Sequence, residues 1–103
     1  MFTSSPSHPL QLHQVPAGRR LDFTGVPGCF AYVYRRHGQQ PWQCVARNAC
    51  SPYLDRNPPV ATTAVEYVVC FCDANGRVTA ATPIVSAPPV ALAVSAAGRL
   101  VAC

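Results

Sequence analysis

The stretch Val65-Glu66-Tyr67-Val68-Val69-Cys70-Phe71-Cys72-Asp73, running directly into Ala74-Asn75-Gly76-Arg77, decides the fold. β-Branched and aromatic residues dominate it, and these types suit a pleated, half-buried strand. Asn75-Gly76 then supplies the positive φ angles that a tight hairpin needs. In an extended strand Val65, Tyr67, Val69 and Phe71 share one face, and Glu66, Val68, Cys70 and Cys72 the other. Both thiols therefore leave the strand on the same side. No motif in the chain rises to a named reaction, so its architecture is easier to read than its activity.

The wider composition agrees with a sheet protein. At 103 residues the chain is one domain with a single core of modest margin. It is 50% hydrophobic and only 12% charged, against roughly 25% charged in ordinary soluble domains. Eleven prolines spread along it exclude long helices almost everywhere. The net charge of +4 comes from arginine alone, since no lysine is present. Arginine favours bidentate and stacking contacts, although GC-rich coding produces the same bias. The pairs Arg19-Arg20 and Arg35-Arg36 are too sparse for a nucleic-acid surface. No apolar run reaches the ~20 residues of a membrane span, so neither nucleic acid nor membrane is expected as a partner. Met1 to His8 lacks the charged and apolar regions of a secretory leader. Synthesis without a visible signal peptide suits a reduced intracellular protein, or a virion or extracellular assembly exported by another route. The six cysteines bear on the same choice, because disulfides persist in oxidising surroundings.

Turn residues divide the chain into short extended pieces. Leu10, Leu12 and Val15 mark a first strand closed by Pro16-Ala17-Gly18. Arg20-Leu21-Asp22-Phe23 is a second, with Leu21 and Phe23 inward, ended by Val26-Pro27-Gly28. Phe30 to Arg36 is a third, Trp42 to Ala46 a fourth and Ser51 to Asp55 a fifth. The opening stretch is the sixth. Val78 to Ser86 is the seventh, confined to a sheet edge by Pro83. Seven short strands with turn signals every ~8–12 residues indicate an all-β, antiparallel two-sheet sandwich.

Leu21-Asp22-Phe23 before Val26-Pro27-Gly28, then Ala31-Tyr32-Val33-Tyr34-Arg35-Arg36, Pro41-Trp42, Ser51-Pro52-Tyr53-Leu54-Asp55, Val65-Glu66-Tyr67-Val68-Val69 and Asp73-Ala74-Asn75-Gly76 together resemble a fibronectin type III domain, an immunoglobulin-like β-sandwich. The chain departs from the family in carrying Phe23 where a tryptophan is usual. Val65 stands at the corner-tyrosine position, with Tyr67 one inward position further on. The resemblance implies a binding, spacing or adhesive module. It also implies one sheet with the fourth, third, sixth and seventh strands in that order. It divides the chain into a flexible lead (1–8), the sandwich (9–88) and an apolar extension (89–103). In that extension Val90-Ala91-Leu92-Ala93-Val94 alternates large with small side chains, and Arg99-Leu100-Val101-Ala102-Cys103 follows a turn-forming Ser95-Ala96-Ala97-Gly98. Such a segment can be an eighth strand of its own domain, or it can pair with a neighbour's open edge.

With that strand order, Cys44 and Cys70 lie two strand spacings apart, about 9–10 Å. That exceeds the ~7 Å limit between the Cα atoms of a disulfide. Cys44 with Cys50 is the most feasible internal pair, and Cys29 and Cys103 are placed to link subunits. All six thiols, Cys29, Cys44, Cys50, Cys70, Cys72 and Cys103, are disulfide candidates or small apolar fillers. Cys70-X-Cys72 on a strand fits a zinc site poorly, and His8, His13 and His37 are scattered, so no metal or cofactor is expected. Of the four carboxylates, Asp55 and Asp73 fall where turns explain them. No nucleophile–base signature or phosphate loop occurs, and catalysis is not expected.

The outer face of the four-stranded sheet is the more suggestive feature. Tyr32, Tyr34, Trp42, Cys44, Cys70 and Cys72 line up across it, with Arg36 at the margin. Aromatic residues and arginine anchor interfaces. The expected function is therefore a non-catalytic structural module that assembles with copies of itself, as a virion decoration or tail component or a filament subunit. Its contacts would come from Tyr32, Tyr34 and Trp42, and from Val90, Leu92, Val94, Leu100 and Val101. A monomeric binding module for another protein or a glycan is the alternative.

Overall fold

The computed structural model of the chain describes residues 8–57 and 63–88. Among them the fold is all-β, with no helix and eight strands. These are β1 (Leu10–Val15), β2 (Gly18–Phe23), β3 (Phe30–His37), β4 (Gln43–Ala46), β5 (Tyr53–Asp55), β6 (Val65–Cys72), β7 (Val78–Ala81) and β8 (Val85–Ala87). They form two antiparallel sheets, β1-β2-β5 and β4-β3-β6-β7, and β8 also pairs with β6 in the second. The arrangement is compatible with a β-sandwich. The order β4-β3-β6-β7 is the one expected. The lead before His8 and the extension with Val90, Leu92, Val94, Leu100, Val101 and Cys103 lie outside the described residues.

Alternation places the core where the sequence pattern puts it. Val65, Tyr67, Val69 and Phe71 of β6 join Ala31 and Val33 of β3, Leu21 and Phe23 of β2, and Leu10 and Ala87 in one buried cluster. Phe23 and Phe71 meet edge to face with ring centroids 6.3 Å apart, the geometry favoured by aromatic quadrupoles. Each fully buried Leu, Val or Phe contributes about 1.5–3 kcal/mol from lost water contact. β1 lies against β8, so the two sheets also touch along one side.

Four local readings need correction. The expected seventh strand is two strands, because Thr82-Pro83-Ile84 interrupts it. Pro83 has no N–H to give the ladder, and Thr82 covers the gap. Its N–H donates to the Val69 carbonyl at 2.9 Å, and its hydroxyl accepts from the Val69 N–H at 3.0 Å. The hairpin after β6 is a wider loop than a two-residue Asn-Gly turn, and only Gly76 within it has positive φ. The Asp73 carboxylate organises that loop by accepting from the N–H groups of Asn75 and Arg77, both at 2.9 Å. Trp42 precedes β4 rather than opening it. Ser51 precedes β5, and its hydroxyl accepts the Phe23 N–H at 2.9 Å.

One glycine is required by contact as well as conformation. Gly18, at φ +148°, opens β2 beside β5, and a Cβ there would lie 2.2 Å from the Asp55 carbonyl oxygen. Gly18→Ala should therefore lower stability by about 2 kcal/mol or more. Gly76→Ala, where an added Cβ meets nothing within 4 Å, should cost only about 1 kcal/mol of backbone strain. Urea unfolding of the two variants measures the difference.

Candidate functional site

Strand register builds the outer face of the larger sheet row by row. In β3, Ala31, Val33 and Arg35 turn inward, so Phe30, Tyr32, Tyr34 and Arg36 turn outward. Phe30 stands opposite Cys72, Tyr32 opposite Cys70, Tyr34 opposite Val68 and Arg36 opposite Glu66. β7 adds Val78 beside Cys72 and Ala81 beside Cys70, and β4 adds Cys44 beside Tyr34. Three successive rows are thus apolar or aromatic, and the fourth is charged. In that fourth row Arg36 donates to Glu66 through Nε at 2.8 Å. Its guanidinium also lies 4.4 Å from the centre of the Trp42 ring.

Exposure divides this face unevenly. Val68 and Cys70 are fully buried and Cys72 nearly so, whereas Phe30 is 41% and Val78 54% exposed. Tyr32, Tyr34 and Trp42 are half-buried and Cys44 is exposed. The thiols of β6 are therefore not part of an open sticky surface, as their outward direction suggested. Burial, followed by the neighbouring Cys44, Cys70, Cys72 and Tyr32, pushes the Tyr34 phenol above its ordinary range.

The five described cysteines are free thiols, and Cys50, like Cys44, is exposed. Cys29 is half-buried, with Sγ 3.4 Å from the Thr79 hydroxyl. Among the described residues no three His, Cys, Asp or Glu side chains gather as a metal-binding group, and no helix is long and apolar enough to cross a membrane.

A second feature was not anticipated. Asp55, expected in a turn, is instead a buried hub, 3% exposed, at the end of β5. Arg35 Nη1 donates to both its oxygens, at 3.0 and 2.9 Å. The Tyr67 hydroxyl donates to Oδ2, Arg19 Nη2 lies 3.4 Å from the same oxygen, and the Asn57 N–H donates to Oδ1 at 3.1 Å. Arg19 Nε in turn donates to the Tyr67 oxygen at 2.6 Å. With its amide oxygen turned towards Arg35, Asn57 accepts from that guanidinium at 2.8 and 2.9 Å.

Two buried cations thus share one anion, and the surplus charge is spread over the Tyr67 ring, 5.9 Å from Arg19, and the Asn57 carbonyl, 3.1 Å from Arg19 Nη2. Burial alone would raise the Asp55 pKa. Hydrogen bonds from Tyr67, Arg35 and the Asn57 N–H, with the Arg35 charge, override it and hold the carboxyl below its ordinary value. Tyr67 is raised by burial and by Asp55, and stays protonated well into the alkaline range.

Beside this hub lies a cleft of about 430 Å³ between the two sheets. Gln43, Cys44 and Val45 of β4 line one side, and Tyr53, Leu54 and Asp55 of β5 the other. Arg19 and Arg35, each the inward-facing member of its arginine pair, are the sequence signal that could have found this region. No family model matches the chain, and neither the curated proteins nor the solved structures gave a match.

Two outcomes follow from this chemistry. The depressed Asp55 pKa gives stability that is complete above the ordinary aspartate value near 3.9 and is lost as pH falls through the lower folded value. Tyr67→Phe removes a donor to that carboxylate, so it should cost about 2 kcal/mol at neutral pH and bring acid unfolding on at a higher pH. Urea titrations from about pH 7 to about pH 2 measure both effects. Burial, then the Cys72 charge, pushes the Cys70 thiol up to about 12. Native iodoacetamide labelling should therefore modify Cys44 and Cys50 and reach Cys70 only after unfolding, as mass spectrometry of the peptides would record.

Proposed function

We propose that the chain is a non-catalytic structural module of fibronectin type III kind that assembles with copies of itself. The sheet order β4-β3-β6-β7, the one that resemblance implies, supports the type. Assembly through the outer face of that sheet is supported above all by its exposed apolar margin, Phe30 and Val78, beside the half-buried Tyr32, Tyr34 and Trp42. A solvated antiparallel sheet face is ordinarily polar at alternate positions, and a continuous apolar face marks a contact surface. The apolar extension 89–103 supplies further contacts. A virion decoration or tail component, or a filament subunit, is the setting that fits such a module.

Light scattering across a wide range of protein concentration tests the reading, with a mass that grows with concentration as the expected result. Tyr32→Ser combined with Tyr34→Ser should weaken that growth by about tenfold or more. A mass that stays at one copy at every concentration would overturn self-assembly and favour a monomeric binding module.

A further inference from the structure

The cleft between the sheets is bordered by two strand edges that have no partner among the described residues. β4 pairs only with β3 and β5 only with β2. An unpaired edge offers a row of N–H and C=O groups to any extended chain that reaches it. β5 is short and bounded by Pro52 and Arg56, which discourage pairing. β4, Gln43-Cys44-Val45-Ala46, carries neither charge nor proline, and its pairing with β3 shifts register where Val45 is passed over. The side chains that β4 and β5 present to the cleft include Val45, Leu54 and Tyr53. An added strand with large apolar residues on one side and small ones on the other would fit there. Val90-Ala91-Leu92-Ala93-Val94 has that alternation.

Chain geometry decides which copy supplies it. β8 ends at Ala87 on the β6 side of the sheet. A strand added beyond β4 lies across β6, β3 and β4 from there, at four strand spacings or roughly 19 Å. From Ala87 to Val90 the backbone spans at most about 11 Å. The segment cannot pair along its whole length with the β4 edge of its own copy. A neighbouring copy has no such restriction.

We propose that residues Val90–Val94 of one copy add as a strand to the free edge of β4 in the next, with Val90, Leu92 and Val94 seated in the cleft over Val45 and Leu54. This rests on the self-assembly reading and names its acceptor. Each copy then gives at one margin and receives at the other, a head-to-tail contact that does not close on itself and grows as a linear array.

Two single variants of the full chain separate the roles. Val45→Lys spoils the acceptor and leaves the donor, whereas Leu92→Lys does the reverse. Each alone should grow at least about tenfold less than the unaltered chain at the same concentration. Their equimolar mixture should restore the contact between one intact donor and one intact acceptor. If Val45→Lys grows like the unaltered chain, the β4 acceptor is wrong while self-assembly stands. If the unaltered chain never grows, both ideas fall.

Hydrogen exchange on the unaltered chain guards against a variant that does not fold. The Gln43–Ala46 amides should exchange at least about tenfold more slowly in concentrated than in dilute protein. Equal rates, with growth present, overturn the acceptor.

Discussion

One carboxylate ties the two sheets together. Asp55 and Arg19 belong to β5 and β2 of the smaller sheet, while Arg35 and Tyr67 belong to β3 and β6 of the larger. The hydrogen bonds among them cross the interior that hydrophobic packing merely fills. Burial of three ionised groups is costly, and the hydrogen bonds among them offset that cost while leaving Arg35 Nε without a partner. Each donor and acceptor here has a geometric reason: Tyr67 sits on the inward face of β6, Arg35 on that of β3, and Gly18 lets β2 approach Asp55 closely. Apolar packing tolerates small slips between sheets, whereas a multiply bonded carboxylate accepts one registration.

The outer face of the larger sheet has the opposite character. Its first three rows are apolar or aromatic, and their polar atoms are confined to the tyrosine hydroxyls and the thiols. Burial of Val68 and Cys70 and exposure of Phe30 and Val78 show that the centre and one end of the face differ in their surroundings. The Trp42–Arg36–Glu66 row closes the apolar field at its other end. Charge and aromatic surface meet there.

Strand β6 was legible because its alternation and residue types agree, whereas the order of the larger sheet was the one implied by the family resemblance. Local competition was harder to see. Pro83 was compatible with an edge strand, but only the Thr82 hydroxyl, which substitutes for a ladder partner, explains how the strand breaks and resumes. Asn75-Gly76 signalled a turn, yet the Asp73 carboxylate sets its form. The Asp55 hub was missed for a physical reason. Arg19, Arg35 and Asp55 are far apart in sequence, and an aspartate two residues before Asn57-Pro58 reads as a turn residue until its cationic partners are placed by folding. The apolar outer rows were legible as a pattern, but their uneven burial depends on packing that periodicity does not encode.

The interruption at Thr82-Pro83-Ile84 has a bearing on the shape of any larger object. A foreign strand approaching that border of the sheet would meet two short stubs, a missing amide hydrogen and a hydroxyl already turned inward. Sideways propagation is therefore discouraged on that flank and left open on the opposite one. On the proposed assembly, such asymmetry gives growth a single direction, a file of molecules rather than an indiscriminate plaque.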